Sequence, residues 1–166
     1  HFDLLVIGSG PAGQRAALQA AKAGKKVAII EKHPRVGGGC VHYGTLPSKS
    51  FRESVYRYSL GSRGVLGREE SSQKTKLLIP DMSRLLRRKD RVVDDETIVI
   101  SDQLKRNGIT IIHGDARMVS AHEIEVSAKK TKTLFTGEKI IIAVGARPVA
   151  PPHLAVDGRF IFDSDT

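Results

Sequence analysis

This sequence has no tryptophan and a single cysteine, Cys40. One thiol rules out an intrachain disulfide, and such sparing use fits a reducing cytoplasm. Aromatic residues make up 5% of the chain. None interleaves with the basic run Arg84, Arg87, Arg88, Lys89 and Arg91, as a surface that stacks single-stranded bases requires. No apolar stretch approaches the roughly 20 residues of a membrane-spanning helix. The longest, Ile140 to Val144, has the length of a strand. The first residues show no charged segment followed by an apolar run, so a secretory signal is not expected. Acidic residues are the scarcer charge, 18 against 27 Lys and Arg, for a formal net charge of +9. Such a surplus suits either a polyanion-binding surface or a solvated basic face. The basic run lies beside apolar positions on a predicted helix, which favours the solvated face. Neither nucleic acid nor a membrane is an expected partner.

What is present fits one α/β domain of 166 residues with 40% apolar content. Phe2 to Ile7 reads as a buried parallel strand that ends at glycine. Pro11 to Ala23 reads as a helix closed near Gly24, and Val27 to Ile30 as a second buried strand ending at Glu31. Arg35 to Gly39 is a glycine loop. Leu46 to Leu60 reads as a helix with Pro47 in its first turn, and Phe51, Val55 and Tyr58 on its core face. Residues 61–76 are polar and read as a flexible loop. Asp81 to Arg106 is a long helix, with Asp81 as N-cap and Asn107-Gly108 as its stop. The pairs Leu78-Ile79, Leu85-Leu86, Val92-Val93 and Val99-Ile100 recur every seven residues, which suits packing on another helix. Short strands follow: Ile109 to Ile112, a half-exposed antiparallel strand around Ile124 and Val126, and a partner at Leu134-Phe135. Lys139 to Val144 reads as a buried parallel strand and Phe160 to Phe162 as a last short one.

Gly8-Ser9-Gly10-Pro11-Ala12-Gly13 follows the first strand and opens the first helix. Glu31 closes the next strand. In that context G-x-G-x-x-G is a strong dinucleotide signal. Gly8 permits the turn, Gly10 the approach of a pyrophosphate, and Gly13 close helix–strand packing. The helix N-terminus offers unpaired N–H groups and partial positive charge to phosphates. Glu31 can accept from a ribose with a free 2′-hydroxyl, which NAD and the AMP half of FAD share. His33, His42, His113, His122 and His153 are scattered, and none pairs with a second His or Cys at metal-ligand spacing, so no metal site is expected. His42 is read as a side chain lining the site.

The second element is Gly37-Gly38-Gly39-Cys40, followed by Thr45 and Pro47-Ser48-Lys49. With it, the chain resembles the pyridine nucleotide-disulfide oxidoreductase family. Gly114-Asp115-Ala116 and Ile141 to Pro148 extend the resemblance, as does Phe162-Asp163-Ser164-Asp165. It implies a Rossmann-like FAD-binding domain with a parallel sheet, an antiparallel β-meander crossover and a long helix pair. It implies that Gly8, Gly10, Pro11, Ala12, Gly13, Glu31, Lys32, Gly38, Gly39, Cys40 and Lys49 line FAD. Ala116 would meet the adenine, and Ala143, Val144 and Gly145 would close over the cofactor. Lys49 would approach flavin N5.

The redox segment of this family carries C-x4-C. Here Cys40 holds the first position and Thr45 the second, flavin-facing one. A hydroxyl cannot cycle between thiol and disulfide, so the relay is chemically lost. Cα atoms five apart on an ideal helix lie roughly 8–9 Å apart, and a disulfide wants less than about 7 Å. Thr45 therefore removes both the bond and the reason for a distorted first turn. The implied reaction is hydride transfer between NADPH and NAD+ through FAD, with Lys49, Cys40 and Thr45 at the reacting end and Cys40 a bystander.

Three alternatives stand beside it. One is a disulfide or peroxide reductase using Cys40, another a non-enzymatic nucleotide- or RNA-binding module, and the last a simple NAD dehydrogenase. There is one G-x-G-x-x-G, so residues 1–166 are expected to be the N-terminal part of an FAD domain. The NAD(P)-binding and dimerisation domains implied by the resemblance would then lie elsewhere, in a homo-oligomer of the cytoplasm.

Overall fold

A computed structural model describes residues 1–66, 81–154 and 156–163. Strand β1 (Phe2–Ile7) leads through helix α1 (Pro11–Lys22) to β2 (Val27–Glu31). Two helices follow the glycine segment, α2 (Gly38–His42) and α3 (Thr45–Leu66), and then α4 (Met82–Arg106). The chain closes with β3 (Thr110–His113), β4 (Asp115–Ser120), β5 (Glu123–Ala128) and β6 (Thr131–Ile142). The strand order is β3-β2-β1-β6-β5-β4. The first four of these pair in parallel, whereas β6, β5 and β4 form an antiparallel meander. The expected α/β fold with a parallel sheet and a β-meander crossover is present, and α3 packs on α4 as a long helix pair.

Side-chain alternation along β1 and β2 divides the core. Leu4, Val6, Val27 and Ile29 face α1 and α4, meeting Ala17, Leu18, Val93, Ile100 and Leu104. Leu5, Ala28 and Ile30 face the meander, meeting Ile124 and Val126. The parallel sheet is thus covered by helices on one side and by the meander on the other. The expected boundaries of α4 hold at both ends. Asp81 accepts from the Ser83 backbone N–H at 3.1 Å, and Gly108 takes φ +71° just past the cap at Asn107.

The structure corrects the sequence reading in several places. Leu134-Phe135 and Lys139 to Val144 are not separate strands. β6 is continuous: Phe135 pairs with Ile124 in the meander, and Ile140 pairs with Leu5 in the parallel sheet. Gly137 lies at the change of partner, where a Cβ would stand 2.9 Å from Leu5 Cγ. The end of this strand is not buried either. Ile142 and Val144 are 61% and 67% exposed, because no described element covers them. Phe160 to Phe162 is a turn. Asp157 Oδ1 accepts N–H bonds from Arg159, Phe160 and Ile161 at 2.8–2.9 Å, which leaves those amides no part in a ladder.

α3 starts one residue early and continues through 61–66, where a loop was expected; residues 67–76 lie outside the described ones. Its inward stripe is Pro47, Phe51, Ser54 and Tyr58, with Val55 exposed. In α4 the buried positions are Leu85, Val93, Ile100 and Leu104. The seven-residue pairs therefore split, with Leu86 and Val99 exposed, and Leu78-Ile79 falls outside the described residues. Arg84, Arg87, Arg88 and Arg91 lie on an exposed face. No helix among the described residues is long and apolar enough to cross a membrane.

Candidate functional site

Three chain segments converge at the C-terminal ends of β1 and β2. Gly8 leaves β1 with φ +102°, and a Cβ there would collide with the Ala143 carbonyl oxygen. A Cβ on Gly13 would collide with the Gly8 carbonyl oxygen and stand 3.3 Å from Val6 Cγ1. Both glycines are demanded by the protein itself. Gly10 is different. A Cβ there would find only Gly38 Cα, 4.0 Å away, so internal packing does not require glycine at this position. Gly10 caps α1 with extended backbone and no side-chain cap, and the first turn contains no acidic residue. Pro11 and Ala12 beside it are exposed. The N–H end of α1 therefore faces open space with its partial positive charge uncompensated, which suits an anion.

Glu31 closes β2 and is 7% exposed. Its Oε2 accepts the Ser9 backbone N–H at 2.9 Å and the Ser9 hydroxyl at 2.6 Å, and its Oε1 accepts the His33 N–H at 2.8 Å. Burial pushes the carboxyl up. The bonds from the Ser9 hydroxyl and from the His33 and Ser9 amides outweigh it, and the group is held below the usual glutamate range. Lys32, the next residue, is exposed. Ser9 is fully buried and also accepts the Gly37 N–H at 3.1 Å. The sequence reading passed over Ser9, which occupies a variable position of the motif. Its only signal there is a hydroxyl small enough for a buried turn.

The glycine segment is a helix rather than a plain loop, since Gly38, Gly39 and Cys40 all belong to α2. Gly38 takes φ +65° and touches the Gly10 backbone. Cys40 is half-buried and is a free thiol. Between α2 and α3 the chain breaks at Tyr43-Gly44, and Gly39 O accepts both of their N–H groups, at 3.0 and 2.9 Å. The helix is thus still interrupted although Thr45 removes the disulfide that would require it, and the Ser48 hydroxyl adds a bond to the Gly44 carbonyl at 2.8 Å. The break places Cys40 on one helix and Thr45 and Lys49 on the next, both exposed and one turn apart on the same face.

His33 and His42, on either side of the glycine segment, stack with ring centroids 4.5 Å apart, and Tyr43 stands edge-on to both at 6.3 Å. His42 Nε2 lies 3.0 Å from the Val36 carbonyl. Burial lowers the His42 pKa, and the charge of His33 adds to the shift. No cluster of three or more His, Cys, Asp or Glu among the described residues could hold a metal ion. On the opposite side, Gly114 N–H donates to Glu31 O at 3.0 Å, which brings Ala116 on β4 near the end of β2. Ala143 N–H donates to Ile7 O at 2.8 Å, which carries Ala143, Val144 and Gly145 past Gly8. Gly145 has φ +70° and nothing within 4 Å of a would-be Cβ.

A strand–glycine turn–helix unit with an acceptor carboxylate at the end of the second strand, joined to a second glycine segment and a β-meander, defines a dinucleotide-binding α/β domain. The chain belongs to the pyridine nucleotide-disulphide oxidoreductase family, whose sequence model matches residues 2–165. It is similar to the soluble pyridine nucleotide transhydrogenase of Mycobacterium tuberculosis (strain ATCC 25177 / H37Ra), at 42% identity over 99% of this chain and 35% of that protein. The protein of the same name from Photorhabdus laumondii is 37% identical over 100% of this chain and 35% of its own length. The chain thus spans about a third of these relatives. Among solved structures, the HOCl-induced flavoprotein disulfide reductase RclA from Escherichia coli aligns with a TM-score of 0.74 at 28% identity. That match covers 93% of this chain and 30% of that one.

Proposed function

We propose that this chain forms the FAD-binding portion of a flavoprotein that transfers hydride between NADPH and NAD+ with no thiol taking part. The observation that carries this reading is Thr45, which opens α3 where a dithiol relay needs its second sulfur, in a chain with one cysteine. The transhydrogenase names of the relatives support it.

The residues fit FAD. The uncapped start of α1 and the open space at Gly10 suit a pyrophosphate, with the backbone of Ala12 and Gly13 supplying N–H groups and Pro11, which has none, fixing the first turn. Glu31 keeps one acceptor position for a ribose hydroxyl, with Lys32 beside it. Ala116 backbone would meet the adenine. Gly38, Gly39 and Cys40 would line the middle of the cofactor, and Ala143, Val144 and Gly145 would close over it. FAD, when bound, supplies a ring that takes up and returns hydride. Thr45 and Lys49 would face that ring, with the Lys49 ammonium stabilising negative charge and donating a hydrogen bond. Cys40 would pack nearby without redox work. The nicotinamide substrates would be handled by parts of the protein beyond this third of the relatives' length, in a cytoplasmic homo-oligomer.

The test is a paired assay of the full-length protein. NADPH oxidation would be followed with a NAD+ analogue and, separately, with disulfide substrates and peroxide. Transfer to the NAD+ analogue alone is expected. Turnover of a disulfide or peroxide with none to the analogue would overturn the reading.

A further inference from the structure

We infer that the Ser9 hydroxyl is a positioning group for the nucleotide site, joining the Glu31 carboxylate to the Gly37 amide so that one buried side chain sets the ribose acceptor and the second glycine segment together. The inference rests on the dinucleotide reading of the site.

A serine hydroxyl has one donor and two acceptor positions. At Ser9 the donor goes to Glu31 Oε2 at 2.6 Å, and Gly37 N–H arrives at 3.1 Å. The carboxylate has about four acceptor positions. Two on Oε2 are taken by Ser9, and one on Oε1 is taken by His33 N–H. One position on Oε1 remains, enough for a single ribose hydroxyl. With both oxygens bonded to different loops, the carboxylate cannot rotate, and that last position is fixed in direction. Gln14 adds to the anchoring by donating from Nε2 to the Ser9 carbonyl at 2.7 Å. Among the described residues Glu31 forms no ion pair. His33 is the titratable group that acts on it electrostatically, so neutral donors, Ser9 foremost, keep it charged in a buried place. Removing the hydroxyl takes a donor from the carboxylate and leaves the Gly37 amide without its acceptor.

The experiment compares Ser9→Ala, the similarly sized but weakly donating Ser9→Cys, and Ser9→Thr, which keeps a hydroxyl. Glu31 would be titrated by carboxyl NMR in the nucleotide-free chain, and FAD affinity measured by flavin fluorescence from pH 4 to 8. In the unaltered chain Glu31 should titrate below the ordinary glutamate value. In Ser9→Ala and Ser9→Cys it should rise to or above that value. FAD affinity at pH 7 should fall about tenfold, the scale of one hydrogen bond to a charged group, and the acid-side loss should begin at higher pH. Ser9→Thr should restore both. An unchanged Glu31 titration in Ser9→Cys, or weakened affinity with an unmoved acid limb, would overturn the inference. If the unaltered chain titrates as expected yet the full-length protein binds no FAD, the flavin reading fails, while the titration still decides the Ser9–Glu31–Gly37 linkage.

Discussion

A methyl group on Gly38 would stand 2.6 Å from the α carbon of Gly10. The two glycine segments, nearly thirty residues apart in the chain, are in backbone contact. Their glycines serve different ends, and substitution separates them. Gly38→Ala combines a left-handed backbone with a backbone clash and should cost at least about 1–3 kcal/mol. Gly10→Ala has ordinary backbone angles and free space, and should cost less than about 1 kcal/mol of stability. It should nevertheless weaken FAD binding tenfold or more. Denaturant midpoints alongside flavin titrations check both; equal destabilisation by the two substitutions would contradict the assignment.

Glu31 links stability to acid. Its carboxyl is held below the ordinary range when folded. Between the folded and unfolded values the unfolded chain binds more protons, so stability rises with pH across that window. The contribution is complete above an unfolded value of about 4.3 and is lost as pH falls through the folded one. Glu31→Gln should remove this slope from the pH dependence of the unfolding midpoint. It should also cost about 1.5–3 kcal/mol at pH 7, as for hydrogen bonds to a charged group.

His42 acts in a higher window. Its folded pKa is lowered, so below an unfolded value of about 6.5 the unfolded chain takes up the proton first and stability declines as pH falls. His42→Gln should flatten stability between that value and the folded pKa. An unchanged slope there would place the titration elsewhere.

Gly137 tests the double use of β6. A Cβ there meets Leu5, which is fully buried, so Gly137→Ala should destabilise the chain by about 1–3 kcal/mol through overpacking. Thermal or urea unfolding measures it. A neutral result would show that the strand can shift its change of partner.

The elements nearest the first motif were the most legible in the sequence. Phe2 to Glu31 alternates strand, glycine turn, helix and strand over a short range, and local pattern determines it. Asp81 and Gly108 bound α4 through capping chemistry that is also local. The rest depended on tertiary context. The ends of β6 looked like two strands, because Thr136, Gly137 and Glu138 part their apolar residues; in the structure Gly137 is where the continuous strand approaches Leu5 closely. Phe160 to Phe162 had strand composition, but the Asp157 carboxylate took its amides. In the site, Gly8, Gly10, Gly13 and Glu31 carried their chemistry in their spacing. Gly37 was legible as part of the second glycine segment, but the bonds that join it to Ser9 and Glu31, and the His33–His42 stack, arise only where three loops meet.

The central claim is that hydride passes through this site without a thiol. Transhydrogenation from NADPH to a NAD+ analogue by the full-length protein carrying Cys40→Ala, with FAD content matched to the unaltered protein, tests it most directly. The account predicts that turnover stays within a few-fold of the unaltered rate. Loss of most of the activity with FAD still bound would contradict it and make Cys40 part of the reaction.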